Sequence, residues 1–128
     1  MTYHFSKTLS VPFDIAIEQA TEALKEKGFG VLTTIDVKET LKKKIDVDFR
    51  PYTILGACNP QFAYQALQKE SHIGTMLPCN VIVQQNDDGT VEVSAVDPMA
   101  SMMSVENPEL EGIATEVHDL LEEFIADL

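Results

Sequence analysis

The chain has no tryptophan, only two cysteines and three histidines, and little positive charge: nine Lys and Arg face 21 Asp and Glu, a formal net charge of −12. Each scarcity bears on what the protein does. Two cysteines in 128 residues of 45% hydrophobic content read as free thiols, ligands or small buried hydrophobes rather than a structural bridge, since a domain of this size buries its core without staples. The bases are also unevenly placed. Residues 1–64 hold eight Lys/Arg and eight Asp/Glu, whereas residues 65–128 hold Lys69 alone against thirteen acids. Such a field repels phosphate backbones and anionic headgroups, so neither nucleic acid nor membrane is an expected partner. Lys42, Lys43 and Lys44 read as a solvated loop or helix end. No run approaches the ~20 apolar residues of a membrane helix, and Met1–Ser10 lacks a basic cluster followed by an apolar stretch, which gives one cytoplasmic domain over 1–128 as the expectation. GxGxxG, P-loop and CxxC patterns are likewise missing.

What is present is strong local patterning. Tyr3–Val11 alternates as a first strand, and Pro12 then suits the first turn of a helix whose stripe is Phe13, Ile17, Ala20 and Leu24 and whose stop is Gly28. Gly30–Val37 reads as a strand, Lys38–Ile45 as a short exposed helix or a loop, and Tyr52–Cys58 as an apolar central strand. Asn59-Pro60 is a helix start, because the amide oxygen accepts from first-turn N–H groups while proline lacks one; that helix runs to about Glu70. Cys79–Gln85 and Thr90–Val96 form a hairpin around Asn86–Gly89. Asn107-Pro108 repeats the start signal before a last helix with Leu110, Ile113, Ala114, Val117, Leu121 and Phe124 on one face and acids on the other.

The order β-α-β-β-α-β-β-α points to a two-layer α+β domain, mostly antiparallel, with helices on one face of the sheet. The hairpin carries apolar residues on both faces, Val81 and Val83 against Ile82, and Val91, Val93 and Ala95 against Val96, so a homodimer through the open face is expected.

Candidate chemistry centres on two Cys-Asn pairs, Cys58-Asn59 and Cys79-Asn80. Cys58 precedes a helix start, where the dipole favours a thiolate; the plainer alternative is a small buried hydrophobe. Antiparallel pairing of the third and fourth strands is the precondition for one shared site. Soft donors lie nearby in Met76, Met99, Met102 and Met103, so Cys58, Cys79 and Met99 form a candidate soft-metal set, although a methionine stripe is more often adaptable core. Zinc on Cys58, His72 and Cys79 is a weaker alternative. His118 is expected to pair along its own helix with Glu111 or Glu122. Asp36 and Asp97 read as turn or cap residues.

GFGVLTTIDV at Gly28–Val37, YTILGACNP at Tyr52–Pro60 and LPCNVIV at Leu77–Val83, followed by DPMASMM at Asp97–Met103, resemble the domain-of-unknown-function family numbered 302 over nearly the whole chain. The resemblance implies a fold similar to the TATA-binding-protein-like topology, dimers, and no established activity. It falls on Gly28, Phe29, Gly30, Cys58, Asn59, Pro60, Pro78, Cys79 and Asn80, and leaves His72 outside any motif. Three functions remain open from the sequence: a non-enzymatic domain binding a small ligand or soft metal near Cys58, Asn59, Cys79 and Asn80; a thiol-dependent redox enzyme with Cys58 attacking and Cys79 resolving; and a purely structural dimeric domain.

Overall fold

The computed structural model describes residues 2–128. Five strands, β1 (His4–Leu9), β2 (Gly30–Asp36), β3 (Tyr52–Cys58), β4 (Cys79–Gln85) and β5 (Val91–Val96), form one antiparallel sheet in the order β1-β5-β4-β3-β2. Helices α1 (Phe13–Glu26) and α5 (Glu111–Ala126) pack on one face, giving the expected two-layer α+β architecture. Strand alternation sends Leu55, Ala57, Val81, Val83, Val91, Val93 and Ala95 towards those helices, where they meet Ala16, Ala20, Leu24, Val117, Leu121 and Phe124 in one buried core. On α1 the fully buried positions are Ala16, Ala20 and Leu24, while Phe13 and Ile17 reach the core only in part. Ala16 and Ala20 on the inner face of α1 are small enough to let the helix axis approach the sheet.

The helix ends follow local chemistry. The N–H of Phe29 donates to the Leu24 carbonyl at 2.9 Å and that of Gly28 to the Lys25 carbonyl at 3.0 Å, the paired C-terminal bonds that require a left-handed residue, and Gly28 has φ of +86°. The turn drives Phe29 back into the core beside Leu24. Helix α2 (Val37–Ile45) resolves the helix-or-loop alternative: the Asp36 carboxylate accepts from the Glu39 N–H at 3.0 Å, and Lys43 pairs with Glu39 at 2.8 Å one turn away. Lys42 is held by Asp46 and Asp48, so most of the lysine patch is spent within its own segment. Helix α3 (Pro60–Lys69) starts at Asn59, whose side chain accepts from the Phe62 N–H at 3.4 Å.

Three short segments have no counterpart in the expected order, the last a 3-10 turn at Met103–Val105. A 3-10 turn at Ser71–Met76 follows α3, and a one-turn helix α4 (Pro98–Ser101) follows β5, capped by Asp97 accepting from the Met99 N–H at 3.0 Å. Asn107 does more than start the last helical segment: its oxygen accepts from the Glu109 N–H at 3.0 Å, and its amide donates at 3.1 Å to the carbonyl of Lys69, joining the ends of two elements. Lys27, just past the end of α1, pairs with Asp127 at 2.9 Å and Glu123 at 3.4 Å, and the Lys7 ammonium donates to the carbonyls of Ala126 and Leu128, so bases from the first half anchor the end of α5.

The hairpin valines Val81, Val83, Val91 and Val93 face the helices, and the open face is partly polar. A polar chain crosses it from His4 through Ser6, Ser94, Glu92 and Gln84 to Arg50, with spacings of 2.7, 2.7, 3.2, 3.4 and 3.0 Å. Its apolar part is the cross-strand row of Ile35, Ile54 and Ile82, with Ile35 at 47% exposure, and on edge strand β2 a bulge between Val31 and Thr33 leaves Leu32 at 68%. No helix among the described residues is long and apolar enough to cross a membrane.

Gly28→Ala tests the turn that places Phe29. A Cβ there carries the left-handed strain and sits 3.1 Å from the Asn59 side-chain nitrogen. The expected cost is about 1–2 kcal/mol, read as a lower urea midpoint with an unchanged slope.

Candidate functional site

The pairing of β3 with β4 decides whether the two Cys-Asn pairs meet. Ala57 lies opposite Cys79, which puts the end of β3 beside the start of β4. At that end of the sheet Cys58 and Cys79 line one pocket, as the antiparallel expectation required, and both are free thiols. Ala57 and Pro78 also line it, Pro78 following a cis Leu77–Pro78 peptide. Phe29 and Phe62 close two sides, α5 contributes Ile113, Ala114 and Val117, and the segment after β5 contributes Pro98 and Met102. Asn59 is the one lining residue with a side-chain oxygen or nitrogen, and its oxygen already caps α3. Among the described residues no charged one lines the pocket, whose volume is about 40 Å³.

The pairs resemble each other in spelling more than in role. Asn59 turns into the cap of α3, whereas Asn80, one residue along a pleated strand from the inward Cys79, is exposed on the opposite face and does not line the pocket. Met99 is also absent from the lining and is 45% exposed; Met102 is the methionine that reaches the thiols' pocket. The reason is the phase of the short α4 turn, which aims Met102 inward. His72 lies outside the pocket, 89% exposed beside Glu70, so the zinc alternative on Cys58, His72 and Cys79 fails. Among the described residues, no three His, Cys, Asp or Glu side chains converge to hold a metal ion.

Dryness sets the thiols' chemistry. Burial pushes the Cys79 thiol up to about 11, with a smaller contribution from the neighbouring Cys58, and burial also raises Cys58 above its ordinary value. Desolvation raises the Cys58 thiol although α3 starts beside it, and among the described residues no Lys, Arg or His lines the pocket to favour a thiolate.

The segment that carries Met102 is pinned by a contact invisible along any one helix. The His118 Nδ1–H donates to the Asp97 carboxylate at 2.8 Å, and the same carboxylate caps α4. The expected partners of His118, Glu111 and Glu122, are displaced by this contact between elements, because Asp97 lies at the end of β5 beside α5. The hydrogen bond to Asp97 raises the His118 pKa against the lowering effect of burial, and the imidazole packs edge-on against Phe5 at 5.0 Å.

Three outcomes follow for the titrating groups. Cys79 is neutral in the fold and gains acidity on unfolding, so its contribution to stability is complete below its ordinary pKa near 9.0 and is lost as pH rises towards about 11. Denaturation midpoints of wild type should fall over that window by on the order of 2 kcal/mol relative to Cys79→Ala. Iodoacetamide should label Cys58 ahead of Cys79, the less buried thiol first; equal rates at neutral pH would contradict the burial difference. Asp97→Asn should lower the His118 pKa measured by NMR and cost about 1 kcal/mol below pH 6, where the wild-type imidazole is charged, with the difference shrinking as pH rises through the folded pKa.

The sequence profile described as "Domain of unknown function DUF302" matches residues 5–128. No curated protein matches the chain. The crystal structure of an uncharacterized conserved DUF302 protein from Bacillus stearothermophilus is similar with a TM-score of 0.90 and 32% identity, over 98% of each chain. With the profile matched over residues 5–128 and this structural likeness, the chain belongs to the DUF302 family.

Proposed function

We propose that this protein is a non-enzymatic binding domain that holds one monovalent soft metal ion of the Cu(I) class between Cys58, Cys79 and Met102. One observation carries it: among the described residues, the sulfur groups that line an otherwise apolar pocket are two thiols and a thioether, the ligand set that selects soft monovalent metal over zinc or hard cations. Size favours an ion over an organic ligand. A pocket of about 40 Å³ holds a few atoms, whereas sites for ordinary small molecules occupy about 300–1,000 Å³. The thiol-redox alternative needs an attacking thiolate, and both thiols have raised pKa values with no base beside them. Free thiols suit a reducing compartment, in keeping with a cytoplasmic setting.

Binding replaces two S–H bonds by two metal–sulfur bonds and releases two protons to solvent, with no change of oxidation state. Because both thiols are protonated at neutral pH, affinity should rise with pH by up to about a hundredfold per unit until Cys58 titrates. Competition with a Cu(I) chelator under argon should give one ion per chain. Cys58→Ser and Cys79→Ser should each weaken it by about a hundredfold or more, and Zn(II) should be lost on desalting. Undiminished affinity in both serine variants would reject the site.

Pairing of two copies through β2 is the second part of the reading, favoured by exposed Leu32 and Ile35 on that edge strand. Sedimentation velocity should find a dimer that Ile35→Lys converts to monomer; a wild-type monomer would reject it.

A further inference from the structure

The three methionines after β5 are not three of a kind. Met102 is half-buried and packs against the small cluster of Ala66, Ile73 and Leu110, whereas Met99 and Met103 are 45% and 60% exposed. Core packing explains the first and leaves the other two without a packing role. All three line a second, solvent-open groove of about 440 Å³ between the post-β5 segment and the start of α5. Glu106 and Glu111 line the same groove, and no basic side chain does. The groove and the thiol pocket share the Met102 wall.

Resting on the soft-metal reading above, we propose that this groove is the loading route of the thiol pocket: a monovalent soft cation is captured by the thioethers of Met99 and Met103 and handed through Met102 to Cys58 and Cys79. Thioethers suit the first step because they are soft donors with no proton to lose, so capture needs no deprotonation. They bind one ion weakly enough to release it to thiolates. The acids supply attraction without competing as ligands, since carboxylates are hard donors and a soft ion prefers sulfur. The half of the chain that forms the groove carries thirteen acids and one lysine, which extends the attraction beyond Glu106 and Glu111. Transfer is ligand exchange: a metal–thioether bond breaks, a metal–thiolate bond forms, and each thiol proton leaves to solvent with no electron moved.

The test uses chloride-free silver(I) as a redox-inert probe, with stopped-flow uptake and release measured on the whole protein. Met99→Leu/Met103→Leu, a near-isosteric pair on exposed positions, should slow uptake and release together by about tenfold. Stoichiometry and equilibrium affinity should stay within a factor of about two, because a route alters rates in both directions equally. Glu106→Gln/Glu111→Gln should slow uptake at low salt and flatten its dependence on ionic strength. Unchanged rates in the methionine variant, with silver still bound to the cysteines, overturn the route alone. Weakened equilibrium affinity at unchanged uptake rate also overturns it, since the thioethers would then be ligands of a terminal site. Wild-type protein that takes up no silver overturns both the route and the metal reading.

Discussion

Everything at the candidate site depends on the register of β3 against β4. With Ala57 facing Cys79, the last residue of one strand and the first of the next share an end of the sheet, and the chain leaves that end through Asn59-Pro60 into α3. A shift of one residue would turn Cys79 outward and Asn80 inward, replacing a buried thiol by a buried amide with no partner. The inward run Cys79, Val81 and Val83 on β4, matched by Leu55 and Ala57 on β3, makes that slip costly, because it would also expose the valines that meet α1 and α5. The packing of the core and the position of the thiols are therefore one constraint.

A second consequence of this packing is chemical. The apolar walls that stabilise the fold also keep the thiols protonated, and they exclude the cations and bases that a reactive cysteine requires. The protein's charge lies elsewhere: on the outer face of α5, in ion pairs that tie Lys27 to the end of that helix, and around the open methionine groove. On the proposed reading, the anionic surface draws cations towards the sulfur-lined pocket, and the sulfurs select among them.

Much of this was legible in the sequence because its signals are local. Asn59-Pro60 and Gly28-Phe29 specify a helix start and a helix stop from adjacent residues, and β3, β4 and α3 have the limits those signals imply. What was hidden depends on contacts between elements. The partner of His118 is Asp97, 21 residues away on a different element, so helical spacing pointed to Glu111 and Glu122 instead. Met99 and Met102 differ by the phase of the four-residue helix α4, too short to show periodicity. Asn80 joined the candidate set by its likeness to Asn59, and strand alternation separates them. Ala16 was overlooked on α1 because closeness of approach, rather than side-chain size, decides burial there.

X-ray absorption at the copper edge of the Cu(I)-loaded protein tests the central claim most directly, because it reads the donor atoms without assuming which residues supply them. The account predicts a first shell of two or three sulfurs and no nitrogen or oxygen, with one sulfur lost in Cys79→Ser. A shell containing nitrogen or oxygen, or one indifferent to Cys58 and Cys79, would contradict it.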